Sequence, residues 1–414
     1  MSTILRLAVR NAIRNRRRTA LTAATVTIGV AFTVVTLSFL GGIFDAMAGD
    51  WARHFGPVRV VTAEFAEREA LQPLHFNIPD SAPVVEQIEA VEGVAAVEPV
   101  IRTGVVLAVG EELGDDPAML VGASSSWYER VVLPVASFHA GGWLEAGDDT
   151  EQVVLGARVA REVGAKVGDE ILVMGMTQYG SMAPISADVV GVVTGNSVID
   201  AQAYVTMETA RWMVDVPAGA LEVLVYPTSE DHADVSRMAA TLAGVMGPAY
   251  TVTPWMVRGI WAQNLPVMES MNVIFSSIVV FVMALAIFNT MTMSVLERTG
   301  EIGVMRAMGQ SRIGAVLTFL VEAMVIGLIG GVAGALVGTG PALYLEQNGL
   351  TYGQDLVDDF GTEIAMKATM SAELTPDILV IAVFVGILTA ALGAFFPALR
   401  AARIQPHEAM RAQR

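Results

Sequence analysis

Side chains that could perform nucleophilic, acid–base or metal chemistry are few and widely separated in this 414-residue sequence. Four of the five histidines, His54, His75, His139 and His232, belong to the region 45–268, where they lie far apart and form no HExxH or paired-ligand spacing. Three consecutive serines, 124–126, lack the GxSxG turn that exposes a nucleophile. Cysteine is absent, which excludes disulfides, thiolate metal sites and cysteine nucleophiles. We therefore predict no catalytic residue, no metal site and no bound cofactor.

A short charged stretch has the most specific pattern. It reads LERTGEIGVMRAMGQSRIGAV at 296–316 and separates two long apolar segments. Gly309 is placed to end one helix before another begins. By composition alone, the stretch is either a solvated connection or a lever that docks against a cytoplasmic partner. No GxxxxGK[ST] phosphate loop occurs in the sequence, so we expect no ATP hydrolysis by this chain alone.

The composition predicts membrane helices combined with a water-soluble domain, because 53% of the residues are apolar and 16% are charged. A helix needs about 20 apolar residues to cross the bilayer core. Four segments meet that length and are predicted as transmembrane helices: 19–44, 269–296, 313–342 and 377–399. The first is too long for the apolar core of a cleaved signal peptide, so we expect it to remain as an anchor.

The distribution of charge predicts the orientation. Residues 1–18, 297–312 and 400–414 together hold 13 basic and 3 acidic residues, whereas the rest of the chain holds 12 and 39. By the positive-inside rule, these three segments are cytoplasmic, and 45–268 and 343–376 lie outside. The six arginines of the first segment predict an amphipathic helix on the membrane surface. The net charge of -17 argues against nucleic acid as a partner.

The outer region, 45–268, is predicted to be a two-lobed α+β domain. Two strand–helix–strand patterns flank an insertion at about 110–215 that is rich in strand and turn signals. The first pattern comprises strand 58–65, helix 82–94 and strand 95–109. The second comprises strand 221–227, helix 229–247 capped by Ser229, and strand 249–255. Together they predict a split βαβ lobe carrying an inserted β-rich lobe. The fold class is therefore an α-helical membrane protein with four spans and a two-lobed α+β extracytoplasmic domain.

Small residues and one acid mark the third span. Glycines four residues apart permit close helix approach in lipid, either within the subunit or between two subunits. These are Gly327, Gly330, Gly331, Gly334 and Gly338. Glu322 lies in the same span, where a carboxylate is costly unless it faces protein or water. We expect Glu322 to point into the helix bundle and to have a structural role.

Three motifs resemble one family. The segment 296–316 resembles the ERxxEIGxxRAxG signature of FtsX-like and MacB-like permeases, the type VII ABC transporters. The matching residues are Glu297, Arg298, Glu301, Ile302, Gly303, Arg306, Ala307 and Gly309. The tail 395–411 resembles the family ending PAxRAARxxPxEALR, and 153–174 resembles its LGxxLAxxLGxKVGDxIxL stretch. Gly300 and Met410 depart from the usual residues, and the resemblance extends over essentially the whole chain.

This resemblance implies a mechanism. Two permeases, identical or different, pair in the bacterial inner membrane above two separate ATPase subunits that bind ATP and Mg²⁺. The segment 297–312 is the coupling helix, and ATP-driven closure moves the periplasmic domains, a process called mechanotransmission. The permease itself is not an enzyme.

Three members of the family remain as alternatives. A lipoprotein-releasing permease of the LolC/LolE type works with a periplasmic lipoprotein carrier, a MacB-like efflux permease works with an adaptor, and an FtsX-like regulator transports nothing. The large two-lobed outer domain disfavours the third, whose outer domain is usually smaller, and the acidic loop 343–376 favours the first. A sensory scaffold that does not use ATP is the alternative outside this mechanism.

Overall fold

The computed structural model describes residues 16–69, 73–110, 112–113, 117–144, 151–297, 299–351 and 369–403. The chain divides into two compact units. The helical unit comprises residues 1–45, 266–350 and 369–414, and the sheet unit comprises 46–265 and 351–368. Most of the predicted N-terminal helix, half of the loop 343–376, most of the tail and Arg298 lie outside the described residues.

Long helices lie toward both ends of the described chain, and short helices alternate with strands between them. The helices are α1 Arg16–Phe55, α2 Ala63–Glu67, α3 Ala82–Glu89, α4 Ser125–Val131, α5 Ala157–Val163, α6 Ser197–Asp200, α7 Met207–Val214, α8 His232–Met246, α9 Gly259–Glu297, α10 Thr299–Ala307, α11 Arg312–Asn348 and α12 Pro376–Arg403. The strands are β1 Val58–Thr62, β2 Val94–Val109, β3 Glu112–Leu113, β4 Ala118–Ala123, β5 Ser137–Gly141, β6 Gln152–Gly156, β7 Glu170–Met176, β8 Met182–Thr194, β9 Gln202–Thr206, β10 Glu222–Pro227, β11 Tyr250–Pro254, β12 Leu350–Thr351 and β13 Thr369–Met370. Short 3₁₀ turns lie at Leu74–Phe76 and Trp255–Val257.

Four helices of the described chain are long and apolar enough to cross a membrane: Thr19–Phe55, Val273–Glu297, Arg312–Asn348 and Pro376–Arg400. The helix α1 extends well beyond the predicted span 19–44. Asp45 ends the apolar stretch but not the helix, because the backbone first leaves helical geometry at Gly56, which has a φ of +79° and is followed by Pro57. The end of an apolar run is therefore a poor marker of the end of a helix.

The glycines of α11 bring its backbone against two neighbouring helices within the subunit. A β-carbon on Gly334 would lie 2.6 Å from the carbonyl oxygen of Thr27 in α1. A β-carbon on Gly327 would lie 2.7 Å from that of Ala390 in α12. Gly330 and Gly338 likewise face α1, and Gly331 faces α12. The two glycine rows thus serve packing inside one subunit, which was one of the two alternatives that the spacing allowed.

The sheet unit contains an 11-stranded sheet with the main order β11-β1-β10-β2-β4-β9-β6-β8-β5. β10 is antiparallel to both of its neighbours, β1 and β2, and β1 is antiparallel to β11. The connections through α3 and α8 therefore interleave two βαβ units, which is the split βαβ arrangement. With the four long helices, this unit confirms the combination of membrane helices and a two-lobed α+β region.

The long strand β2 belongs to both lobes. Its first half pairs with β10, while residues from Ile101 onward pair with β4 and β7 of the second lobe. The predicted boundary near 110 is therefore too late, because the second lobe begins inside this strand. The sequence shows no break there, since one continuous strand produces one continuous β pattern.

The predicted helix 229–247 is confirmed, but its cap is different. The helix α8 begins at His232, and the carboxylate of Asp231 accepts a hydrogen bond from the Ala233 amide at 2.8 Å. Ser229 does not cap the helix, because its hydroxyl donates to the Asp234 carboxylate at 2.6 Å. Aspartate competes well with serine for the N-cap position, and in this helix it lies one residue before the first turn.

We predict that Gly334→Ala lowers the free energy of unfolding by about 1–3 kcal/mol, because the added carbon overpacks the contact with α1. Thermal unfolding in detergent micelles measures the effect. Gly340→Ala is the matched control, since no atom from another described part of the chain lies within 4 Å of its new carbon. Equal effects of the two substitutions would contradict the close packing of α1 and α11.

Candidate functional site

The helix α10 and its following turn form the connection between α9 and α11. Gly309 has a φ of +99°, and the amide of Gln310 donates to the carbonyl of Met305 at 3.2 Å, which closes the end of the helix. The hydroxyl of Ser311 accepts from the Gly314 amide at 3.0 Å and caps α11. The connection is therefore a defined helix–turn–helix with Gly309 at its turn.

One face of α10 is fixed against the helical unit. The side chain of Ile302 is 1% exposed and packs in a core that includes Phe319 of α11 and Ala398 of α12. Gly303 is also buried. The guanidinium of Arg306 donates from Nη1 to the carbonyl of Ala402 at 2.6 Å. A force applied to α10 would thus act directly on both α11 and α12.

The described exposed side chains at the end of α10 and directly after it are apolar. Met308, immediately after the helix, is 77% exposed, Val304 is 46% exposed, and Ala307 is also exposed. Glu297, at the end of α9, is exposed, whereas the side chain of Glu301 lies outside the described residues. The sequence motif included Ala307 of this exposed face but missed Val304 and Met308. Their four-residue spacing could have indicated this face, because residues at that spacing are neighbours on a helix.

Glu322 lies in the interior of the helical unit, where its residue is 2% exposed. It belongs to the buried side of α11. This is the placement that a carboxylate needs inside an apolar span, since exposure to lipid would leave its charge unsolvated.

A second group of charged residues lies in the sheet unit, and nothing in the sequence pattern indicated it. We call it the arginine cluster: Arg59, Arg102, Arg258, Glu69 and Glu222. The guanidinium of Arg59 binds Glu69 through two contacts, at 2.6 and 2.8 Å. Glu222 contacts Arg102 and lies 3.7 Å from Nη1 of Arg59. The strand order explains the grouping, because β10 with Glu222 lies between β1 and β2, which carry the two arginines.

The arginine cluster and a tyrosine bind the backbone at the end of α1. The last carbonyl groups of a helix have no partner within it. At this end the Tyr226 hydroxyl donates to the carbonyl of Arg53 at 2.9 Å, and Arg102 donates to that of His54 at 2.6 Å. Arg258 donates to the carbonyl of Phe55 at 2.9 Å. Cations at this position also interact favourably with the helix dipole, so these side chains anchor the end of α1 to the sheet.

Burial and ion pairing oppose each other in the cluster. Burial alone lowers the pKa of Arg59, but its ion pairs with Glu69 and Glu222 outweigh burial and raise that pKa. Burial raises the pKa of Glu69, and Arg59 more than reverses this, so the pKa of Glu69 is lowered. For Arg258, burial and the neighbouring charge of Arg59 lower the pKa well below its ordinary value.

Metal chemistry finds no support in the described part of the chain, where no group of three or more histidine, aspartate or glutamate side chains could hold an ion. The functional candidates are therefore a docking face on α10 and the arginine cluster.

Two family models match the sequence. The model described as MacB-like periplasmic core domain matches residues 19–244, and the model described as FtsX-like permease C-terminal matches residues 273–406. The first match alone covers more than half of the chain.

Individual relatives are more distant. The lipoprotein-releasing system transmembrane protein LolC of Xylella fastidiosa is 24% identical over 404 residues, which cover 93% of this chain and 92% of LolC. An uncharacterised ABC transporter permease of Methanocaldococcus jannaschii is 31% identical over 138 residues, covering 33% of this chain and 31% of that protein. Among solved structures, the periplasmic region of MacB from Actinobacillus actinomycetemcomitans has a TM-score of 0.34 and 14% identity, covering 48% of this chain and 88% of that region.

The pH dependence of stability tests the ion pair of the arginine cluster. The pKa of Glu69 is lower in the folded state than in the unfolded state. Its contribution to the free energy of unfolding is therefore complete above the unfolded-state pKa of about 4.3, and it is lost as the pH falls from there through the folded-state pKa. We predict that Glu69→Gln costs about 1 kcal/mol or less at pH 7, since the carboxylate is half-exposed.

Thermal unfolding is measured at pH 7 and at several values below pH 4. The difference in melting temperature between Glu69→Gln and the unchanged protein should become smaller as the pH falls. Glu86→Gln, at an exposed position of α3, serves as the control and should show a small effect throughout. A gap that stays constant with pH would exclude the ion pair as its cause.

Proposed function

The chain belongs to the FtsX-like permease family with a MacB-like periplasmic core domain, and we propose that it serves in lipoprotein release from the bacterial inner membrane. It is a membrane-spanning ABC transporter permease of the MacB and LolC type. In this proposal a separate ATPase binds ATP and Mg²⁺, and the permease passes the resulting motion to its sheet unit. The basic segments, including the α9–α11 connection, face the cytoplasm, and the sheet unit faces the periplasm.

The exposed face of α10 is the proposed docking site for the ATPase. Its apolar side chains, Val304 and Met308, suit a cleft in a partner, since burying them on association is favourable. On the opposite face, Ile302 and the hydrogen bond from Arg306 join α10 to the other helices. A movement of the ATPase would therefore displace the helices of the permease instead of bending a flexible loop.

Transmission of this motion is supported by α1. Its residues from Arg16 to Asp45 belong to the helical unit, and those from Ala46 to Phe55 belong to the sheet unit. The carbonyl groups at its end are anchored by side chains of the sheet. A helix held in this way transmits displacement along its axis, because its internal hydrogen bonds resist stretching.

Lipoprotein cargo is supported by the relative called LolC, which the chain matches over nearly the whole of both proteins. The proposed partners are a second permease, identical or different, and a soluble carrier that receives the acylated protein. The match to a MacB-like periplasmic core domain favours a second candidate, an efflux permease that works with a periplasmic adaptor.

We predict that Met308→Asp lowers recovery of the ATPase with the tagged chain at least about tenfold, because a carboxylate buried in an apolar interface costs several kcal/mol. Purification in mild detergent with quantitative mass spectrometry measures the recovery. Val245→Asp is the matched control, since Val245 is 40% exposed on α8 of the sheet unit. Full recovery of the ATPase with Met308→Asp would exclude this face as the docking site.

Depletion of the chain in its native host tests the cargo. We expect lipoproteins to accumulate in the inner membrane, and we expect a copy with Val245→Asp, but not one with Met308→Asp, to restore their release. Membrane fractionation followed by detection of the acylated proteins gives the distribution. Unchanged sorting would overturn lipoprotein release, and recovery of a membrane-fusion adaptor with the tagged chain would then favour efflux.

A further inference from the structure

The arginine cluster carries an excess of positive charge inside the sheet unit. Three guanidinium groups face two carboxylates, Glu69 and Glu222. Asp50 of α1 forms an ion pair with Arg53, which neutralises it. Glu98 of β2 accepts hydrogen bonds from the hydroxyls of Ser124 and Ser126 and forms no ion pair with the cluster in the described structure. The five side chains of the cluster, three cationic and two anionic, therefore carry one positive charge in excess among themselves.

The excess is concentrated at Arg258. Within the described ranges it forms no ion pair of the kind that Arg59 and Arg102 form, although its residue is only 6% exposed. Its guanidinium donates to backbone carbonyl groups and lies 5.0 Å from the ring centre of Trp51. Carbonyl groups and an aromatic face are weaker partners than an anion, and buried charges in proteins are ordinarily paired.

Unused hydrogen-bonding capacity accompanies this charge. Nε of Arg59, of Arg102 and of Arg258 is buried and has no hydrogen-bond partner in the described structure. Leaving such groups unpaired carries a desolvation cost. The lowered pKa of Arg258 is consistent with the same cost, since burial disfavours its charged form.

A cavity of about 190 Å³ lies beside these groups. It is lined by all five members of the arginine cluster and by the rings of Trp51, Phe55 and Phe65, among others. Three cationic side chains therefore meet at one small space, and guanidinium groups are well suited to bind oxyanions through several hydrogen bonds.

We infer that this cavity binds a phosphate group, whose negative charge compensates the excess at Arg258. A phosphate suits the site because its several oxygens can accept from more than one guanidinium. The group has two possible sources, free inorganic phosphate and the headgroup of an anionic phospholipid. In either case the ligand would strengthen the anchoring of α1, because the cavity also includes Trp51 and Phe55 of that helix.

The test uses the full chain, delipidated in a maltoside detergent that contains no phosphate. Calorimetric titration with inorganic phosphate and thermal unfolding with added phosphatidylglycerol distinguish the two sources. Arg258→Gln should lower the affinity for whichever of the two ligands binds by about tenfold or more, because a charged hydrogen-bonding partner is lost. Glu69→Gln should raise that affinity, because the net charge of the cluster rises. Arg237→Gln, at a 78% exposed side chain of α8, should leave binding unchanged.

The inference is supported, with free phosphate as the ligand, if inorganic phosphate binds saturably and the affinity falls in Arg258→Gln, rises in Glu69→Gln and is unchanged in Arg237→Gln. Stabilisation by phosphatidylglycerol alone, with the same order of variants, supports it with a lipid headgroup. The inference is overturned if neither ligand binds, or if Arg258→Gln binds as well as the unchanged protein. Circular dichroism of each variant shows whether it is folded, and the opposite directions expected for Arg258→Gln and Glu69→Gln cannot both result from a general loss of structure.

Discussion

The end of a membrane helix leaves carbonyl groups that must find donors, and this requirement organises the sheet unit. The helix α1 ends among side chains of the sheet, where Tyr226, Arg102 and Arg258 supply those donors. Burying two arginines for this purpose creates a need for negative charge, which Glu222 of β10 partly meets. The hydrogen bonds that hold α1 therefore depend on the order of the strands.

The helical unit depends on a different constraint. In lipid the hydrophobic effect does not drive apolar helices together, so they associate through close contact of their surfaces. Glycines of α11 permit backbone contact with α1 on one side and with α12 on the other. The helices α11 and α12 also receive α10 through Ile302 and Arg306. Close helix packing and an anchored connection together hold α10, α11 and α12 in one packed unit.

Much of this architecture was predictable because it depends on local periodicity. The apolar runs predicted the four long helices, and alternating patterns predicted β1, β2, β10 and β11 with the helices between them. The errors occurred where a local pattern does not mark a boundary. Helix α1 continues past Asp45, the second lobe begins inside β2, and α8 is capped by Asp231 instead of Ser229.

The sequence by itself determined the fold class, the charge asymmetry and the short charged connection between the second and third long helices, since each depends on residues that are consecutive in the chain. Tertiary structure alone decided which side of α10 is exposed and which helices the glycines of α11 contact. It also brought Arg59, Arg102 and Glu222 together from three separate parts of the chain. Strand order creates that grouping, and pairing between distant strands leaves no periodic signal in a single sequence.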